Sequence, residues 1–163
     1  PGPGVGGHCI AVDPWFIVSQ APEEARLIRT AREVNDAKPH WVLRKVQEAV
    51  SQHLKENPGK TAADVTIACY GLTFKADIDD LRESPALEIV KRLAEEHPGR
   101  ILVAESNIDA LPAELGRVEL VKLTDMPPVE VHVMLVDHRE FSGREAPLAE
   151  LVDCRGVWKR TRG

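Results

Sequence analysis

The chain is poor in cysteine, in aromatic side chains and in long apolar runs, and each shortage closes off a class of protein. Cysteine occurs three times, at Cys9, Cys69 and Cys154, an odd number with no Cys-x-x-Cys spacing. Neither a disulfide framework nor a zinc site fits such a set, no metal centre is expected, and a reducing, cytoplasmic setting is the expectation. Aromatic residues make up 4% of the 163 residues. Trp15, Trp41 and Trp158 read as core or interface anchors rather than stacking platforms. No apolar run approaches the roughly 18 residues of a membrane-spanning helix, so membrane insertion is not expected. Positive charge is short as well. Against 26 Asp and Glu stand 21 Lys and Arg, a formal charge of −5, which argues against nucleic acid as a partner because phosphate binding needs a basic field. Basic residues gather only at the end, in Arg155, Lys159, Arg160 and Arg162, where a frayed, solvated tail is the simplest reading.

What remains is the composition of a soluble globular chain, 43% hydrophobic and 29% charged, long enough for one domain with a real core plus an appendage. It opens on Pro-Gly-Pro-Gly without Met or a signal-peptide pattern, and its richest motif falls within the first 16 residues. Natural domains rarely start inside such a loop, so further residues are expected upstream.

Residues 1–7, rich in Gly and Pro, form a loop, and Trp15 to Val18 follow as a short helix. Pro22-Glu23-Glu24 has the character of a helix start, with Pro in the first turn and acids near the positive end. Ile28, Ala31 and Val34, then Val42, Val46, Ala49 and Val50, recur at helical spacing, giving a long helix that is kinked or restarted at Pro39 and ends before Asn57-Pro58-Gly59. Beyond it the pattern changes. Short apolar runs at 65–70, 101–104, 118–123, 131–136 and 151–153 read as strands, and Ser84-Pro85 opens a helix whose apolar face is Leu87, Val90 and Leu93 and which His97-Pro98-Gly99 stops. Strands alternating with helices predict an α/β fold: a Rossmann-like, doubly wound parallel sheet over 59–163, preceded by a long helical arm over 1–58.

Two constellations could carry chemistry. In Gly4-Val5-Gly6-Gly7-His8-Cys9, followed by Asp13, glycines allow close backbone approach to a ligand. A cysteine at a helix start would have its thiolate favoured by the helix dipole, and a carboxylate four residues on lies one turn along the same face. Nucleophile and base would then stand together. The same residues also describe a tight glycine turn with a small buried Cys. The segment is no dinucleotide fingerprint, since neither a preceding strand nor a following acid is in place. His8 is a poor partner for Cys9, because adjacent helical residues diverge by about 100°. The second constellation is Gly71-Leu72-Thr73-Phe74-Lys75-Ala76-Asp77 with Asp80-Leu81-Arg82-Glu83-Ser84-Pro85. It joins a strand's carboxyl end to a helix N-terminus, where open α/β sheets and helix dipoles bind phosphates, and Lys75 and Arg82 add cationic donors. A solvated loop with both cations paired to Asp77, Asp79 or Asp80 is the alternative. His40, His53, His97, His132 and His138 have no ligand spacing and fit surface or core roles.

Together the two motifs are more specific than either alone. Pro1 to Phe16 resembles the catalytic-cysteine loop of the UDP-glucose/GDP-mannose dehydrogenase family, in the Gly-Gly-His-Cys-Ile-x-Val-Asp-Pro form of its N-acetylhexosamine branch. Gly71 to Lys75 with Asp80 to Pro85 resembles the family's nucleotide-sugar loop, and Val152 to Trp158 its closing strand. Residues 25–35 are similar to the members acting on UDP-N-acetyl-D-mannosamine for surface polysaccharide such as enterobacterial common antigen. The resemblance covers nearly the whole chain. It implies three parts, an NAD-binding Rossmann domain, a central dimerisation helix and a UDP-binding domain, of which this chain would hold the end of the second and the third.

The implied reaction is the four-electron oxidation of a UDP-sugar C6 alcohol to a carboxylate with two NAD⁺, passing through a thiohemiacetal and a thioester on Cys9. Asp13 would hold or activate the hydrolytic water. Gly6, Gly7, Phe74, Lys75 and Arg155 would contact the substrate, and Arg82 the cofactor or the diphosphate. NAD would be bound mostly by a domain this chain lacks, the chain alone would be inactive, and a homodimer would form through the 23–55 helix. Val12 stands where the UDP-glucose enzymes carry Lys, which favours the N-acetylhexosamine branch, and Thr124 to Pro128 leave no room for a helix the family usually has there. Cys69 and Cys154 match no functional position and read as packing residues. A nucleotide-binding or regulatory module with an incidental Cys9, or a dimerisation fragment without a ligand, are the competing readings.

Overall fold

The computed structural model describes residues 2–158, so the basic residues Lys159, Arg160 and Arg162 lie outside it. Three helices come first: α1 (Asp13–Gln20), α2 (Arg26–Asp36) and α3 (Lys38–Glu56). Pro39 has no N–H to continue the helical ladder, so α2 stops and α3 restarts with Pro in its first turn. The helix expected from Pro22 begins later, at Arg26. Pro22 to Glu24 form a turn, and Ala25 donates its N–H to Ala21 O at 2.9 Å before accepting from Arg29.

The periodicity of α3 is realised as burial: Val42, Leu43, Val46, Ala49 and Val50 join the main core against the sheet. That of α2 is not. Leu27 and Val34 are 82% and 65% exposed, and the only buried residue of the helix is Arg32. An apolar stripe in sequence says that a face wants cover, without saying that this chain supplies it.

The α/β layer follows with β1 (Ile67–Tyr70), α4 (Pro85–Glu96), β2 (Ile101–Ala104), β3 (Glu119–Val121), β4 (Val131–Met134) and β5 (Glu150–Asp153). All pairings are parallel, in the order β3-β2-β1-β4-β5. Alternation sorts the side chains onto two faces. Ile67, Cys69, Ile101, Val103, Val131 and Val133 meet α3 and α4, whereas Ala68, Tyr70, Leu102, Ala104 and Met134 pack with Phe141 and Trp158. On this second face a single 3₁₀ turn, Leu123–Asp125, and another at Arg139–Phe141 stand where a full helix could have been. Trp158 meets Tyr70 edge-on at 4.7 Å and donates its indole N–H to Phe141 O, so the last described residue is a core anchor. Trp15 and Trp41 are exposed. Cys69 lies in the core and Cys154 packs against it. Among the described residues no helix is long and apolar enough to cross a membrane.

The chain crosses from β3 over β2 and β1 to β4, which makes the carboxyl edge between β1 and β4 the switch point where open α/β sheets hold ligands. Gly71 starts the loop there. Its φ is +86°, and a Cβ on it would come 2.4 Å from Val136 Cβ. Ser84 then caps α4, accepting from Leu87 N at 3.3 Å while its hydroxyl donates to Leu72 O at 2.6 Å. One buried hydroxyl thus ties the loop's beginning to the helix that ends it. Ser84→Ala should cost about 1–2 kcal/mol of stability, read as a lower urea midpoint at unchanged slope.

Candidate functional site

The glycine loop and the loop after β1 are far apart in sequence and pressed together in space. Gly7 donates its N–H to Arg82 O at 3.2 Å. A Cβ on Gly6 would lie 2.2 Å from Glu83 O and 2.9 Å from Phe74 Cβ, and one on Gly7, whose φ is +90°, 2.9 Å from the Phe74 ring. These two glycines exist because the backbones touch. Helix α2 holds the loop from its other side: Asn35 accepts from Val5 N at 2.8 Å and donates to Val5 O at 3.4 Å, and Arg32 donates to Ile10 O at 3.3 Å. Arg32 in turn is paired to Asp36 at 2.6 Å.

Cys9 lies between those clamps. The helix starts at Asp13, so Cys9 belongs to the turn before it rather than to the helix itself. The Asp13 N–H donates to Cys9 O at 2.8 Å, an α-type turn that leaves thiol and carboxylate residues one turn apart. Both residues are exposed, so the buried-cysteine alternative does not hold. His8 is exposed beside them.

Phe74, Lys75 and Arg155 do come together. With Pro3, Gly4, Thr73, Pro85, Ala86, Leu135 and Val136 they line a narrow cleft at the carboxyl edge of the sheet. Arg155 is anchored to Asp137 at 2.6 Å and lies against Gly2. The Lys75 ammonium makes no ion pair among the described residues, so that half of the paired-loop alternative fails. The other half holds. Arg82 forms a forked pair with Asp80, at 2.6 Å from Nη2 and 3.1 Å from Nε to the same oxygen. Its hydrogen bonds hold the Asp80 carboxyl down at about 2, and the carboxylate raises the guanidinium's pKa in return, with a smaller push from Cys9. Cys9, Asp13 and Arg82 do not line the cleft.

Sequence reading passed over one buried pair beside the cleft. Glu105 directly follows β2 and His138 follows β4; the carboxylate receives the imidazole Nε2 at 2.9 Å, with side chains 0% and 1% exposed. Burial alone would raise the Glu105 pKa, but hydrogen bonds from His138, Leu72 N and Asn107 outweigh it and hold it at about 2. Nothing in the local pattern around 105 or 138 marks this, because the partners are 33 residues apart.

The pair also decides the cofactor question. A dinucleotide-binding sheet keeps an acid after its second strand for the ribose and three glycines after its first. Here both Glu105 oxygens are committed to protein donors, and the turn reads Gly71-Leu72-Thr73-Phe74. These residues do not fit NAD. Arg82, the residue expected to reach the cofactor, has 64% of its side chain exposed. Among the described residues no group of acids, His or Cys could hold a metal.

Two outcomes follow. Alkylation by iodoacetamide should strike Cys9 more than about tenfold faster than Cys154, whose thiol is pushed up to about 12 by burial and then by Asp153, or Cys69, raised by burial in the core. Glu105, depressed from 4.5 to about 2, stabilises the fold fully above its ordinary pKa, and that contribution, on the order of 3 kcal/mol, is lost as pH falls from about 4.5 through about 2. Urea midpoints compared with Glu105→Gln over that window should lose the corresponding part of the slope.

Comparison with known proteins agrees with this geometry. The family model described as the UDP-glucose/GDP-mannose dehydrogenase family, UDP binding domain, matches residues 68–160, and the central-domain model of the same family matches 1–37. The UDP-N-acetyl-D-mannosamine dehydrogenase of Salmonella typhi is 56% identical over 98% of this chain, and that of Escherichia coli (strain K12) 54%. The NDP-N-acetyl-D-galactosaminuronic acid dehydrogenase of Ralstonia solanacearum is 52% identical over 99%. The chain spans 37–39% of the length of these curated relatives. Among solved structures, the UDP-N-acetyl-mannosamine dehydrogenase Cap5O from Staphylococcus aureus superposes with a TM-score of 0.72 at 31% identity, covering 99% of this chain and 37% of that one. The UDP-D-ManNAc dehydrogenase of Pyrococcus horikoshii gives 0.68 at 26%, covering 98% and 37%. Sheet, glycine loop and sequence thus lead to one assignment: this chain belongs to the UDP-glucose/GDP-mannose dehydrogenase family.

Proposed function

We propose that the whole protein oxidises UDP-N-acetyl-D-mannosamine at C6 to the uronate with NAD, for surface polysaccharide such as enterobacterial common antigen, and that this chain supplies its nucleophile and its nucleotide-sugar platform. The observation that carries the reading is the seating of the Gly6-Gly7 turn on Phe74, which brings the Cys9 loop and the Lys75 loop to one edge of the sheet. Relatives 52–56% identical that are named for UDP-N-acetyl-D-mannosamine or for an NDP-N-acetyl-D-galactosaminuronic acid support an N-acetylated sugar.

The residues divide the work by chemistry. Lys75 and Arg155, cations that line the cleft, would hold the diphosphate, with Arg155 kept in place by Asp137. Gly6 and Gly7, seated on Phe74, would meet the sugar with bare backbone. NAD, when bound, supplies the acceptor for hydride; Arg82 is the one described residue assigned to it. The Cys9 thiolate would add to the C6 aldehyde, forming the C–S bond while the carbonyl electron pair moves to oxygen. At the thioester stage, water adds to the carbonyl carbon, Asp13 takes its proton, and the C–S bond breaks to return the thiolate. A cytoplasmic setting fits such an enzyme and its thiol. Pairing of two copies would use the exposed Leu27 and Val34 face of α2, since α3 spends its own apolar face on the sheet.

In the full-length enzyme Cys9→Ser should lower turnover at least about a thousandfold, and Asp13→Asn roughly 10²- to 10⁴-fold, with a sugar-thioester adduct on Asp13→Asn visible by intact mass. Full activity of Cys9→Ser would end the reading. The chain alone should bind UDP-N-acetylmannosamine weakly at best by isothermal titration and form no NADH. Steady NADH production by it would contradict the division of labour between this chain and the rest of the protein.

A further inference from the structure

Every polar atom that reaches the Glu105 carboxylate is a donor. Oε2 receives Leu72 N at 2.8 Å, Thr73 N at 3.4 Å and His138 Nε2 at 2.9 Å; Oε1 receives Asn107 N and Nδ2, both at 2.9 Å. A carboxylate satisfies all five, whereas a carboxamide would set its NH2 against at least two of them. The imidazole is equally constrained. Its Nδ1 lies 2.9 Å from Asp77 N, and a backbone amide can only donate, so Nδ1 keeps its lone pair and Nε2 carries the hydrogen given to Glu105. The Asn107 amide also points at Nδ1, from 3.2 Å.

What the pair holds is the stretch from Leu72 to Asp77. Glu105 pins its start at two backbone amides, and His138 pins its end at a third. Asp77 sits at φ 59°, a left-handed conformation that a residue with a Cβ adopts at a cost, and its carboxylate is gripped by Arg139 N and Nε, each at 3.0 Å. Between the pins, Thr73 Oγ1 donates to Lys75 O at 2.8 Å. The Lys75 backbone is therefore fixed from both sides, while its ammonium is unpaired among the described residues and the residue lines the cleft together with Arg155. Fixing a backbone that presents a free cation lowers the ordering cost of binding an anion.

We propose that Glu105 and His138 are positioning residues that hold Phe74 and Lys75 in the geometry that receives the diphosphate of the nucleotide sugar. The inference rests on the reading of that loop given above. It differs from a mere packing role in that each ring nitrogen has its own task, and the tasks can be separated. Asn in place of His138 offers an acceptor where Nδ1 is and no donor to Glu105; Gln offers a donor where Nε2 is and no acceptor to Asp77.

The test is amide hydrogen exchange across 72–78 in the 163-residue chain, with titration by UDP, for wild type, His138→Gln and His138→Asn. In His138→Gln the Asp77 amide should exchange at least about tenfold faster while Leu72 stays protected, and UDP affinity should fall roughly five- to tenfold. In His138→Asn the Asp77 amide should remain protected. Equal loosening of the loop in both variants, an Asp77 amide unmoved in His138→Gln, or a loosened loop with unchanged UDP affinity would each overturn the proposal. If the wild-type chain takes up no UDP, the titration moves to the full-length enzyme, where absence of UDP binding is what would end the substrate reading. The exchange pattern then decides the positioning role alone, supporting it if the two variants split and overturning it if they do not.

Discussion

The central strand β1 is the constraint on which the rest of the molecule depends. It is hydrogen-bonded on both sides, to β2 and β4, and all four of its residues are buried. A strand so enclosed has no freedom of register, because a one-residue slip would turn Ile67 and Cys69 toward the aromatic face and Ala68 and Tyr70 toward α3 and α4. Where it ends is then fixed, and so is the exit of the chain at Gly71, tight against Val136. The loop carrying Phe74 and Lys75 inherits its place from that exit, and the glycine loop inherits its own from Phe74.

How much of this could be read from residues alone follows from the range of each interaction. The strands, the break at Pro39 and the Ser84-Pro85 start of α4 are local matters, written in periodicity and in proline and serine chemistry, and they stand close to where the pattern put them. The burial of α3 was legible in the same way. The outward stripe of α2 was not: period gives a face, and only tertiary structure says what meets it. The Cys9 turn was legible as a turn. Its exposure was not, and the loop ahead of it is held by Asn35, 30 residues from Val5.

The candidate site divides along the same line. Glycines at 6 and 7 and the cation at 75 announce themselves by type and spacing, Arg155 enters only through the family resemblance, and the cleft unites Phe74, Lys75 and Arg155. Glu105 and His138 could not be foreseen, since an acid after a strand and an isolated histidine are ordinary residues until β1 lies between their strands. The position that serves a ribose in a dinucleotide-binding sheet is here turned inward onto the loop's own backbone. The domain keeps the architecture of a nucleotide-binding sheet while the residues that define such a site have been reassigned to structure. The expected boundary at residue 58 falls in the loop after α3, although α3 itself buries its face on the sheet.

Helix α2 has a mechanical consequence. On one side its Arg32 and Asn35 grip the backbone on both flanks of Cys9, while on the other Leu27 and Val34 stand bare to water. Nothing soft lies between the two sides, only the width of a single helix. A roll of this cylinder would carry the Cys9 loop with it, through the backbone that Arg32 and Asn35 hold.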